Sequence, residues 1–187
     1  MMKKLIWVMM MLLPFLLVGC ESSEKDVMYN LLENSSCFPD VEQSSVYGDN
    51  IILSTAAYEN VITHFTLDDG KFTDDFGGVY VDENGFHNVC VVGKRRPISS
   101  DYLIYKQVEN SLNFLESIVD SLERESHDFT IWMMSICDFH NGVIICLENE
   151  SKIPLILEHL KSNELLKKGT LNIFVGKTQV IPNLNTN

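Results

Sequence analysis

The chain has 187 residues, 14 of them Lys or Arg and 26 Asp or Glu, for a formal charge of −12. With 45% hydrophobic and 21% charged residues, and ten Phe beside six Tyr, it has the make-up of a folded globular protein, which excludes a disordered, collagen-like or coiled-coil one. The acidic balance argues against nucleic-acid binding, which needs clustered Lys and Arg for phosphate contacts, and there is no apolar run of about 18 residues to span a bilayer.

Lys3 and Lys4 form a positive n-region, and Leu5 to Val18 is a fourteen-residue apolar h-region interrupted by Pro14. That length fits a secretory signal peptide and falls short of a membrane span. The segment ends in Leu17-Val18-Gly19-Cys20, which resembles the lipobox of bacterial lipoproteins. The resemblance implies cleavage before Cys20 and acylation of Cys20 as the new N-terminus, for instance with palmitate. Residues 1–19 are then a signal peptide, and the exported body is held by lipid to the cell membrane or the outer membrane. Several acyl chains on one Cys make a stable anchor, since each buried CH₂ contributes about 0.8 kcal/mol. Removing Lys3 and Lys4 leaves 12 basic residues against 26 acidic ones, a charge of −14. Anionic headgroups repel such a surface, so the lipid must do the holding.

Residues 20–48 are rich in Ser, Glu, Asp and Asn and read as a polar tether, with an apolar patch around Val27 to Leu32 that fits a short element without a place in the fold. A single α+β domain is expected over 49–176, followed by a tail at 177–187. Ile51 to Phe65 is loosely helical, with Ser54 or Thr55 as its cap. Gly78–Asp82 and Asn88–Val92 are β-branched runs around Asp82-Glu83-Asn84-Gly85, a hairpin signal. Tyr102 to Tyr105 reads as a short strand. Val108, Leu112, Leu115, Val119 and Leu122 trace an amphipathic helix reaching Glu125. Phe129–Cys137 and Val143–Leu147 flank Asn141-Gly142, a second hairpin. Pro154 opens a helix to about Leu166, and Leu171–Val175 closes as a strand. The pattern predicts a mainly antiparallel sheet built from two β-hairpins, with helices on one face.

The wording of the hairpins carries a resemblance. Phe76-Gly77-Gly78-Val79-Tyr80-Val81-Asp82-Glu83-Asn84-Gly85 resembles the F-G-G-x-x-I-D-x-x-G strand and turn in the pro-regions of bacterial chymotrypsin-fold serine proteases, such as alpha-lytic protease and the streptogrisins. Val89-Cys90-Val91-Val92 follows as that family's valine strand, and Tyr105 to Asn110 matches its helix start only in part. Cys137 to Ile145 stands where the family has an I-D-x-x-x-N-x-V-x-V hairpin. The likeness runs from about Asp75 to Val175. It implies a module that binds a protease, assists its folding and inhibits it, with the last strand and the tail against the partner. Val180, Ile181 and Pro182 are the tail residues expected to make that contact.

No catalytic signature stands out: there is no G-x-S-x-G, G-x-G-x-x-G, Walker A or H-E-x-x-H pattern. His64, His87, His127, His140 and His159 are scattered without partner spacing. Asp68, Asp69, Asp74 and Asp75 lack the alternation and fixed glycine of a calcium loop and read as solvated. Trp132 and Met134 share a strand face with Ile136 and read as core. No cofactor or metal is expected. Cys37, Cys90, Cys137 and Cys146 are an even set in an exported protein, hence disulfide candidates, with buried thiols as the alternative. A two-residue Asn141-Gly142 turn sets Cys137 opposite Cys146; a longer loop undoes that pairing.

The expected function is a lipid-anchored, non-catalytic protein-binding domain, inhibitor-like or chaperone-like. The alternatives are an immunity-type lipoprotein that neutralises a basic toxin, and a hydrolase whose site the fold assembles. If Cys20 carries the anchor, metabolic labelling with a fatty-acid analogue marks the wild-type protein and leaves Cys20→Ser unmarked; equal labelling of both removes the anchor from the account.

Overall fold

A computed structural model describes residues 28–33, 37 and 42–176. The signal peptide, Cys20 and the tail residues Val180, Ile181 and Pro182 lie outside this set. In chain order the elements are β1 (Tyr29–Leu32), α1 (Tyr47–Ile62), β2 (Phe76–Val81), β3 (His87–Val92), β4 (Leu103–Val108), α2 (Leu112–Glu123), α3 (Ser126–Phe129), β5 (Ile131–Cys137) and β6 (Gly142–Leu147). A 3-10 turn (Glu150–Lys152), α4 (Ile153–Ser162) and β7 (Leu171–Val175) follow. The architecture is α+β, with two sheets in the orders β2-β3-β4 and β1-β7-β6-β5.

Both expected hairpins are present, β2–β3 and β5–β6, each antiparallel. The remaining pairings are parallel: β3 with β4, β6 with β7, and β1 with β7. The sheets are therefore mixed, which corrects the mainly antiparallel expectation. The reason lies in the connections. β7 returns through α4, a crossover that forces parallel entry, and β4 returns through the ten-residue loop 93–102. Val108 ends β4 and does not start a helix; α2 begins after Ser111, whose hydroxyl accepts the Phe114 N–H at 3.2 Å.

The segment expected as tether contributes to the fold. Tyr29–Leu32 pairs with the outer side of β7, so β7 lies between β1 and β6, and α1 begins at Tyr47. Ser54 does not cap that helix. It lies in its middle, fully buried, with its hydroxyl 2.7 Å from His87 Nδ1 and accepting the His87 backbone N–H at 2.6 Å.

Three apolar clusters organise the interior. Leu115, Ile118 and Leu122 of α2 and Ile153, Ile156 and Leu160 of α4 pack on Val143, Ile145, Leu147, Leu171 and Ile173. Fully burying each such side chain contributes about 1.5–3 kcal/mol. Val61 and Phe65 pack on Phe76, Val89, Val91 and Leu103 in the three-stranded sheet. Cys137, Ile144 and Cys146, on the reverse face of the larger sheet, meet Leu32, Trp132, Met133 and Phe174. A bulge lies between Ile131 and Met133, so Trp132 joins Met133 on this reverse face, away from Met134 and Ile136. The expected shared face of Trp132 and Met134 is thereby overturned.

The β5–β6 turn also decides the cysteines. Cys137 pairs with Gly142 and Met133 with Cys146, because four residues, Asp138 to Asn141, form the loop. Cys137 is bonded instead to Cys37, 100 residues away in sequence, and Cys90 and Cys146 are buried thiols. A ring of that size stabilises by about 4–5 kcal/mol in the chain-entropy model.

The same turn joins the two sheets. The Asn141 side chain accepts the Asn110 N–H at 2.8 Å and donates to the Asn110 carbonyl at 2.7 Å and the Gly77 carbonyl at 3.3 Å. In return, the Asn110 amide donates to the Asn141 carbonyl at 3.0 Å. Asn141 holds this position at φ +49°, a conformation Asn tolerates better than most residues. Asn141→Gly keeps the backbone and loses the amide bonds, at a cost of about 2–4 kcal/mol. Asn141→Ala should lose roughly a further 1 kcal/mol to left-handed strain. Urea unfolding of the two variants checks the order; equal stability of wild type and both variants would refute the role.

Candidate functional site

The histidines are brought to serines in two places. Ser54 meets His87 at 2.7 Å and Ser121 meets His159 at 2.9 Å. Both serines are buried, and among the described residues no carboxylate bonds either imidazole. A nucleophile needs an exposed oxygen and an oriented base; these pairs instead fasten α1 to β3 and α2 to α4. Tyr58 stacks on the His87 ring at 5.0 Å. His64, His127 and His140 are exposed and belong to neither pair.

The acidic run is dispersed into local bonds. Asp69 accepts the Lys71 N–H at 3.1 Å, and Asp74 accepts from Asn113 at 3.0 Å. Asp75 pairs with Arg95 at 3.0 Å. Burial works to raise the Asp75 pKa, but bonds from Thr73 and Arg95 and the guanidinium charge outweigh it and hold the carboxyl below its ordinary range. Among the described residues no group of three or more His, Cys, Asp or Glu is placed to hold a metal ion. No helix among them is long and apolar enough to cross a membrane.

Asp138 is the polar centre of the sheet junction. Its carboxylate accepts the Val79 N–H at 3.0 Å, and it sits where a Cβ on Gly78 would be. Gly78 has φ +107°, so this close approach needs glycine twice over. Burial raises the Asp138 pKa, with the Val79 bond opposing. Cys90 lies beside it. Burial pushes both the Cys90 and Cys146 thiols up to about 11, so neither is a thiolate nucleophile near neutral pH.

The open feature is at the other side of the smaller sheet. A cleft of about 410 Å³ is lined by Arg96, Ile98, Ser99, Ser100, Leu103, Ile104 and Tyr105, within the size range of ligand sites. The crossover loop 93–102 builds it by folding back beside β4. Three anchors hold the loop. Arg95 bonds Asp75 and the His64 carbonyl and lies over the Phe65 ring at 5.1 Å. Ile98 packs on the buried cluster under α1. The Tyr105 hydroxyl donates to the Ile98 carbonyl at 2.7 Å.

The sheet edges differ in how open they are. β1 has four residues, β5 carries the Trp132 bulge and the Cys137 disulfide, and on β2 the Val79 N–H is taken by Asp138. Such devices blunt edge pairing. β4 has six residues in unbroken register with β3, and among the described residues no strand lies on its outer side. Both edges of β7 are paired, with β1 and with β6, so it offers no open edge to a partner strand. Neither β4 nor Arg96 is a candidate in the sequence reading. The signal was there as Lys94-Arg95-Arg96, the one run of three basic residues in an acidic chain.

No protein-family model matches the chain, and no curated protein matches it.

Burial lowers the His87 pKa below its ordinary 6.5. The unfolded chain therefore takes up a proton at a pH where the folded one resists it. This contribution to stability is present above about pH 6.5 and is lost as pH falls through the depressed folded value. Urea unfolding of the wild type between pH 7.5 and 5.5 should weaken on the acid side, and His87→Gln should flatten that slope. An unchanged slope would rule out His87 as its source.

Proposed function

We propose that this chain is a lipid-anchored protein of the bacterial cell envelope whose α+β domain binds another protein without catalysing a reaction. It takes an extended segment of that partner along the outer edge of β4. The observation that carries this reading is the contrast between edges: three are shortened, bulged or capped by a side chain, while β4 is left regular beside a cleft. Backbone groups on such an edge recognise an extended segment directly, and side-chain pockets beside it add selectivity. The half-exposed Ile104 and Tyr102 give that segment apolar surface. The lipobox supports the anchor, and the likeness to protease pro-regions supports an inhibitory or chaperone-like outcome of binding. The burial of Ser54 and Ser121 counts against the hydrolase alternative.

Cross-linking in intact envelopes tests this. Ile104→Asp places a charge in the cleft at an exposed position and should leave the thermal midpoint in place. The adducts captured by the wild-type protein should be lost in Ile104→Asp and kept on truncation after Gly176. Undiminished adducts with Ile104→Asp would overturn the β4 reading.

A further inference from the structure

One cation, Arg96, lines the cleft of a protein of formal charge −12. Resting on the reading that the β4 edge receives a partner segment, we propose that the segment is acidic, with a side-chain carboxylate seated on Arg96.

The argument begins with which cations are free to act. Of Lys94, Arg95 and Arg96, Arg95 is consumed by Asp75, the His64 carbonyl and Phe65. Lys94 and Arg96 are exposed and make no salt bridge among the described residues, where the two ion pairs are Lys71–Asp69 and Arg95–Asp75. Asp101 is the sole acid in the 93–102 loop. Arg96 lines the cleft together with Ser99 and Ser100. The Ser100 hydroxyl oxygen accepts the Tyr102 N–H at 3.2 Å, which leaves its own hydrogen to donate. A guanidinium fork in a cleft also lined by two serines suits a carboxylate, which takes two parallel N–H bonds. Ile98, Leu103 and Ile104 offer apolar surface beside it. An extended segment mixing acidic and aliphatic residues satisfies both features.

Charge also narrows the occupant. A second copy of this chain carries the same formal charge of −12, which opposes pairing of two copies through this edge. A wholly acidic partner is repelled at longer range by the body of the protein. What remains is a short acidic segment displayed by a partner whose own surface is not strongly negative.

Fluorescence anisotropy on the chain from residue 20, made soluble by Cys20→Ser, tests this with three labelled octapeptides. They alternate Val with Glu, Val with Gln, and Val with Lys. The Val-Glu peptide should bind about tenfold tighter than the other two, and Arg96→Glu should shift the preference to Val-Lys. Arg96 is exposed and makes no hydrogen bond among the described residues, so the variant should fold; circular dichroism verifies that. If Val-Gln or Val-Lys binds wild type as well as Val-Glu, the acidic preference is overturned and edge binding stands. If none of the three binds, edge binding itself fails. A concentration-dependent dimer that Ile104→Asp abolishes would assign the edge to a second copy and overturn the proposal.

Discussion

The structure turns on how the β5–β6 hairpin ends. A tight two-residue turn would have kept the larger sheet to itself. Instead four residues project: Phe139 and His140 stay exposed, while Asp138 and Asn141 are drawn out of water and need polar partners there. They find them on the other sheet. Asp138 accepts from the Val79 backbone, and Asn141 exchanges amide bonds with Asn110 and reaches the Gly77 carbonyl. The strand β2 bulges at this place, between Phe76 and Gly78, and the missing side chain of Gly78 leaves room for the carboxylate. Two small sheets, each with its own apolar cluster, are thereby fixed by directional bonds between the turn of one and the backbone of the other. The same projection sets the strand register, and the register separates Cys137 from Cys146.

What could be read from sequence follows this division between local and distant causes. Hairpin signals at Asp82–Gly85 and Asn141-Gly142, the period of α2 and the proline of α4 are local, and they gave elements close to those observed. Strand direction is set by what the connection does between strands. The Tyr102–Tyr105 run gave no sign that it enters parallel to β3, because no helix precedes it. The β1 strand showed only as an apolar patch at Val27 to Leu32, whose type and place could not be read. Four residues in a polar stretch carry no period, and their strand character comes wholly from β7. Trp132 shows the limit of alternation, since one extra residue turns two consecutive side chains to the same face. For the candidate site, the basic triplet was visible as composition, but its juxtaposition with an open edge depends on the crossover loop folding back.

Charge in this protein acts on two scales. Over the whole chain the acidic excess sets the long-range potential, and within a few ångströms the charged groups of one loop set a local potential of opposite sign. Arg95 illustrates how the fold separates structural from available charge. It is spent on Asp75, a backbone carbonyl and an aromatic face, and so anchors the loop from which Lys94 and Arg96 extend.

The pairing of β1 with β7 also fixes a length. Between Cys20 and Tyr29 lie nine residue steps. Even fully extended, these reach only about 30 Å. A flexible spacer running to residue 48 would have reached about 95 Å by the same geometry. In the lipid-anchored reading, the disulfide at Cys37 and the β1 pairing therefore draw the anchor point back to the edge of the larger sheet, and the domain rides close to the bilayer surface. In that reading its distance from the membrane is set by this short spacer and by the breadth of the domain itself, and not by a long flexible stalk.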